Sequence, residues 1–306
     1  MQTEWVGKTL ASRDGLALQQ FSTGVADGPV VVLVNAMGMP SEFMRPLASD
    51  LALRGYRVLS WESRGVPNLE AGFRPDRCGV GNQADDLEDL LDANDVARAT
   101  VLGWCSGAQV ALRFASQRPN RVSRLVLVNG AYSLWRSCAF LPFQDGMNGV
   151  TPLCATSPES AALISAVIIG QVMGTGGSDE LSQQVAPLVS AVPPEVVHLT
   201  AGVFADGERL YRYSNMEQEF LKEPDHAWTE GVRAPTLVIA GDANVMVNPA
   251  SSQEIARRIA GSRLHVVSGG NHYMHYLRAD CRAEIIAFIE EGRHHANDVL
   301  GADAAL

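Results

Sequence analysis

Gly103-Trp104-Cys105-Ser106-Gly107 is the stretch that decides the fold. It has the Gly-x-nucleophile-x-Gly spacing of a sharp strand-to-helix turn, which lifts one nucleophilic side chain clear of the backbone. Both glycines belong to that reading, because the turn is strained and strand and helix approach closely. Ser106 lies one position off centre. Gly-x-Cys-x-Gly is the only frame that uses both glycines, which makes Cys105 the nucleophile. The flanks agree: Ala99-Thr100-Val101-Leu102 reads as a strand entering the turn, and Ala108 to Ser116 as a helix leaving it.

Outward from the turn, strand and helix signals alternate. Leu16 to Phe21, the apolar run Val30 to Val34, Tyr56 to Trp61 and Val122 to Val128 read as strands. Ser41 to Leu53, with Ser41 as N-cap and a complication at Pro46, and Ala84 to Leu91 read as helices. Such β-α-β repetition implies a parallel sheet with right-handed crossovers. From about Ala131 to Gly231 the rhythm becomes helical and is broken by Pro152, Pro193-Pro194 and Pro224. It returns at Thr236 to Ala240, then Leu264 to Val267, and ends in a helix from about Arg282 to Glu291. The expected organisation is α/β: a core from 1–130 and 232–306 with a mostly parallel eight-stranded sheet, and a helical cap over 131–231 inserted after strand 6.

The composition bounds what such a domain does. Hydrophobic residues are 46% and charged ones 19%, an ordinary globular balance in 306 residues. A net charge of −10 and a pI near 5.2 argue against non-specific nucleic-acid or anionic-membrane binding. Met1 to Trp5 lacks a secretory pattern, and the apolar stretch Ala161 to Gly174 is too short to span a bilayer. The five cysteines match no zinc spacing and read as reduced thiols, so a cytoplasmic protein without metal or cofactor is expected.

Three positions follow the logic of the elbow in chain order. Cys105 comes first, Gly241-Asp242-Ala243-Asn244 follows a strand, and Gly269-Gly270-Asn271-His272 follows the last strand. Nucleophile, orienting residue, histidine is the order of the α/β-hydrolase fold. The chain resembles that family from the Val31 strand to the terminal helix, with a lid between its sixth and seventh strands. The resemblance implies that the residue at the place of Asn244 orients His272. Cysteine–histidine–asparagine is a workable nucleophilic set if the amide accepts a hydrogen bond from the imidazole. The alternative is Asp242 as the orienting acid, unless it only tightens its loop. Ser106 N–H is expected as one oxyanion donor at the positive end of the following helix. The resemblance places the second donor on Met37, in Asn35-Ala36-Met37-Gly38. Trp104 either walls a substrate pocket or packs on the sheet. His275 either binds substrate or is a helix histidine.

A thiol at an elbow beside N–H donors is suited to attack a carbonyl and hold the resulting oxyanion. The expected substrate is a small-molecule ester or thioester, polyketide-like, free or as a carrier-protein-bound acyl chain, and the reaction acyl transfer or hydrolysis. Cysteine elbows resemble those of dienelactone hydrolases and product-releasing thioesterases. The same scaffold also resembles lyases that eliminate acetate from O-acetylated tetronate intermediates. A third reading is a receptor that kept fold and pocket without catalysis.

Overall fold

Val30–Val34 (β3) and Ala99–Trp104 (β5) are almost wholly apolar because they lie side by side in the middle of a sheet covered on both faces. The computed structural model describes residues 4–133, 138–172 and 192–303. The other strands are β1 (Val6–Ala11), β2 (Ala17–Gly24), β4 (Arg57–Trp61), β6 (Val122–Val128), β7 (Thr236–Gly241) and β8 (Arg263–Val267). Their order in the eight-stranded sheet is β1-β2-β4-β3-β5-β6-β7-β8. β1 pairs antiparallel with β2, and β2 with β4; all other pairs are parallel.

Helices α1 (Arg45–Leu53), α2 (Val80–Asp92) and α3 (Ser106–Gln117) connect the first strands. Between β6 and β7 lie α4 (Pro142–Cys154), α5 (Pro158–Val172), α6 (Pro194–Ala201), α7 (Gly207–Phe220) and α8 (Asp225–Trp228), with no strand among the described residues there. After β7 come α9 (Pro249–Arg258), α10 (Met274–Leu277) and α11 (Ala279–Asp303). No helix among the described residues is long and apolar enough to cross a membrane.

β1 went unread in the sequence because it has no apolar run: five of its six residues are exposed, and only its ladder with β2 makes it a strand. One local reading is corrected: Ser41 does not cap a regular helix. Ser41–Met44 is a 3-10 turn, and α1 begins at Arg45 with Pro46 in its first turn, where a missing N–H costs nothing. The Glu62-Ser63-Arg64-Gly65 loop is braced by a buried ion network. Arg64 Nε donates to Asp86 at 2.7 Å and Arg64 Nη1 to Asp14 at 2.6 Å. Ser63 Oγ in the same loop accepts the Gly38 N–H at 2.7 Å and so holds the loop that follows β3.

Candidate active site

Cys105 stands between β5 and α3 with φ 55° and ψ −123°, a backbone conformation that a non-glycine residue rarely adopts. The strain is held by pairing on both sides: Cys105 N–H donates to Val128 O at 3.0 Å, and Cys105 O accepts from Ala108 and Ala131. The two glycines are there for space. A Cβ on Gly103 would fall 2.3 Å from Gly107 O, and one on Gly107 2.3 Å from Val34 O. The turn therefore closes only with glycine at both positions, and it sets the thiol at the start of α3.

The sheet's carboxyl edge collects the rest. His272 follows β8, Asn244 follows β7, and Ala36 to Met39 follow β3. Cys105, Met37, Trp104, Ser106 and His272 line one cavity, closed from above by Phe143 and Met147 of α4 and Tyr213, Glu217 and Phe220 of α7. Its wall is mostly apolar, as suits a hydrocarbon-rich ligand with a few polar groups to orient it. Burial pushes the Cys105 thiol up to about 12, while Ser106 N–H works in the opposite direction. Burial pulls His272 down to about 3. At neutral pH thiol and imidazole are thus both uncharged, unlike a thiolate–imidazolium pair.

Asn244 does meet His272, but with the hydrogen bond running opposite to expectation. Its Oδ1 accepts the N–H groups of Met246 (3.0 Å) and Val247 (3.1 Å). That leaves Nδ2 facing His272 Nδ1, at 3.2 Å. An amide nitrogen only donates, so Nδ1 is the acceptor and the neutral ring carries its hydrogen on Nε2. A carboxylate would accept from Nδ1–H and leave the Nε2 lone pair free for proton removal. In a serine-protease triad, exchanging that carboxylate for its amide costs roughly 10⁴-fold in rate through this tautomer change. Protonating His272 would also set Nδ1–H against the Asn244 amide hydrogens, so the amide adds to burial in keeping the ring neutral.

Other expected residues find different places. Asp242 is exposed, and its carboxylate accepts the Gly269 N–H at 2.7 Å; it tightens the loop and does not orient the histidine. His275 is fully buried against the Trp104 ring, with centroids 4.4 Å apart, and does not line the cavity. Trp104 is fully buried at the end of β5, lines the cavity, and its Nε1–H donates to His272 O at 3.0 Å, a contact not expected from sequence. Met37 N–H donates to Ser106 Oγ at 2.8 Å, so it must leave that hydroxyl, or share it, to hold an oxyanion. Ser106 N–H heads α3 and is directed at the Cys105 sulfur.

Two residues were missed from sequence. Asn129, at φ 45° just after β6, accepts the Gly241 N–H at 2.9 Å and donates to the carbonyls of Asn271 (3.0 Å) and His272 (3.1 Å). It ties three strand ends together under the histidine loop. Glu217 is a carboxyl in the cavity wall. Its only sequence signal is spacing: Tyr213, Glu217 and Phe220 share one helix face, and the two aromatics mark that face as covered.

Residues 29–279 match the sequence model of the α/β hydrolase fold family. The chain is similar to the human serine hydrolase BPHL, 22% identical over 276 residues, covering 87% of this chain and 80% of that protein. It is also similar to the magnesium-chelatase 30 kDa subunit of Rhodobacter capsulatus, 27% identical over 261 residues, with 84% and 85% covered. Among solved structures, the enol-lactonase of Burkholderia xenovorans LB400 superposes with a TM-score of 0.69 at 20% identity, over 92% of this chain and 99% of that one. At that identity the likeness is one of fold.

Proposed function

The chain belongs to the α/β-hydrolase fold family, and from that premise we propose that it is an enzyme acting on an ester or thioester carbonyl of an apolar small molecule. The substrate class is polyketide-like, free or as an acyl chain on a carrier protein, and the reaction is acyl transfer or hydrolysis. The observation that supports this reading is the strained elbow, which places Cys105 in the wall of an apolar cavity beside Ser106 N–H. Attack by the sulfur gives a thioester-linked acyl enzyme, which water or a second nucleophile resolves. The hydrolase names carried by relatives such as BPHL are consistent with carbonyl chemistry and leave the substrate open.

A second reading has its own support in the Asn244–His272 contact. Elimination of acetate from an O-acetylated tetronate-type intermediate needs a polarised carbonyl and a base, and needs no acyl enzyme. A neutral histidine presenting Nε2–H is suited to polarising a carbonyl, as neutral imidazoles do in enolising enzymes.

Incubation with acyl thioesters and with an O-acetylated β-hydroxy carbonyl compound, followed by intact mass and product analysis, separates the two. Acyl transfer predicts an adduct that disappears in Cys105→Ala, with turnover falling at least about 10³-fold, as on loss of a covalent nucleophile. Alkene and acetate without an adduct establish the elimination. Neither adduct nor turnover across a broad ester panel defeats both and leaves a ligand receptor.

A further inference from the structure

The carboxylates of α7 differ in one respect. Glu208 pairs with Arg212, and Glu219 with Lys222. Just beyond the helix, Glu223 pairs with Arg113 at 2.7 Å. Glu217 points instead into the cavity wall shared with Cys105 and His272, and no cation or hydrogen-bond donor among the described residues meets its carboxyl. A half-buried carboxyl set in a mostly apolar cavity wall, with no cation or donor to hold it, is a candidate for a role in the site. His272 cannot fill the ordinary role of the site, because its Nε2 already bears hydrogen while Asn244 donates to Nδ1.

We propose that Glu217 is the proton acceptor of this site and that His272 meets the substrate as a neutral N–H donor. The inference rests on the carbonyl chemistry proposed above and deepens it. In acylation, Glu217, whose charge is felt at Cys105 across the shared cavity without a direct hydrogen bond, takes the S–H proton through one intervening water, and the freed sulfur pair forms the S–C bond. The carbonyl π pair moves to oxygen, which Ser106 N–H and His272 Nε2–H hold. When that pair returns, the bond to the leaving group breaks, and the leaving group recovers the proton from Glu217. In the elimination, the same carboxylate takes the proton α to the carbonyl. The C–H pair becomes the enolate and then the C=C bond, and acetate departs with the Cβ–O pair.

Protonation agrees with this division of roles. Burial alone pushes Glu217 up to about 7, whereas burial holds His272 down to about 3, so near neutrality the carboxylate is the stronger acceptor. The titratable groups around the cavity are Cys105, His272, Tyr132, Tyr213 and Tyr273. Elements packed against α7 carry Asp145 and Cys154 on α4, Glu159 on α5, and Asp76 and Arg77 in the turn at Pro75–Arg77; none of them adds to the shift. An acid raised in this way is protonated below its midpoint, so its activity as a base increases as pH rises through about 7.

Alkylation of Cys105 by iodoacetamide, an uncharged probe, tests the assignment without any knowledge of the substrate. Rates are read by peptide mass on the full-length protein between pH 5.5 and 9, roughly the range over which such a base titrates. The expected wild-type rate rises with a midpoint near 7, and Glu217→Gln slows it at least about tenfold at neutral pH. A carboxylate acting only by its charge predicts the reverse. Its repulsion raises the thiol, so neutralising it would speed alkylation. A faster or unchanged Glu217→Gln rate overturns the proposal. The half-exposed Cys138 serves as internal control, since at any one pH its rate is the same in wild type and variant while the fold is intact. If the variant misfolds, the wild-type profile decides alone: a rise only toward the thiol's own value, about 12, overturns the assignment. If wild-type protein turns over no ester or thioester yet Cys105 alkylation depends on Glu217, the carbonyl reading fails and the base assignment stands.

Discussion

Asn244→Asp is expected to raise ester and thioester hydrolysis by about 10²–10⁴-fold, the reverse of the loss seen when a triad carboxylate is made an amide. One carboxylate oxygen keeps accepting the N–H groups of Met246 and Val247, which donate from where they already stand. The other faces His272 Nδ1 at the 3.2 Å already present and turns it from acceptor into donor. Nε2 loses its hydrogen and becomes a base toward Cys105, and the imidazolium formed in the reaction gains a counter-charge. Initial rates with short acyl thioesters measure the effect, and the ¹⁵N shifts of His272 report the tautomer directly. Unchanged rates together with unchanged shifts would mean that the amide had been an acceptor all along. If Glu217 is the base in the parent protein, the double variant Asn244→Asp/Glu217→Gln should lose far less than Glu217→Gln alone, because two groups serving one function are not additive.

Gly107→Ala is expected to remove most of the protein's stability, about 4 kcal/mol or more, the range reached only by a clash that nothing can relieve. The new Cβ would meet Val34 O at 2.3 Å and Asn35 O at 2.5 Å. Both are backbone atoms at the end of β3, and β3 is locked between β4 and β5. Gly149→Ala is the matched control. It sits inside α4 with nothing within 4 Å of its Cβ position, and should gain up to about 1 kcal/mol from helix propensity. Urea denaturation midpoints compare the two; a Gly107→Ala midpoint within error of the parent would show that the elbow yields where the geometry says it is rigid.

The candidate site was legible in unequal parts. Cys105, His272 and the position of Asn244 follow from chain order, because strand ends and the tight turns after them leave local marks in sequence. The helices between β6 and β7 were readable as helices, but not by which side chains enter the cavity. Helix faces are chosen by packing against partners distant in sequence, and Glu217 shows the consequence. β1 was unreadable for a related reason: an exposed edge strand is defined by its neighbour's hydrogen bonds and has no apolar pattern of its own. His275 and Asp242 looked like site candidates by proximity along the chain, yet one is enclosed beside Trp104 and the other is turned to Gly269.

Gly103 to Gly107, read with the strand and helix signals around it, pointed to the fold and marked Cys105 as the candidate nucleophile, since a strained turn between a buried strand and a helix tolerates no Cβ at either end. Residue identity likewise put an amide where the family's order calls for an acid. Only the tertiary structure decided what that amide does. Two backbone N–H groups claim its oxygen, its nitrogen is left to face His272, and the histidine's hydrogen is fixed on the far side of the ring. Hydrogen-bond direction is a property of where donors converge in space, and a sequence carries no record of that.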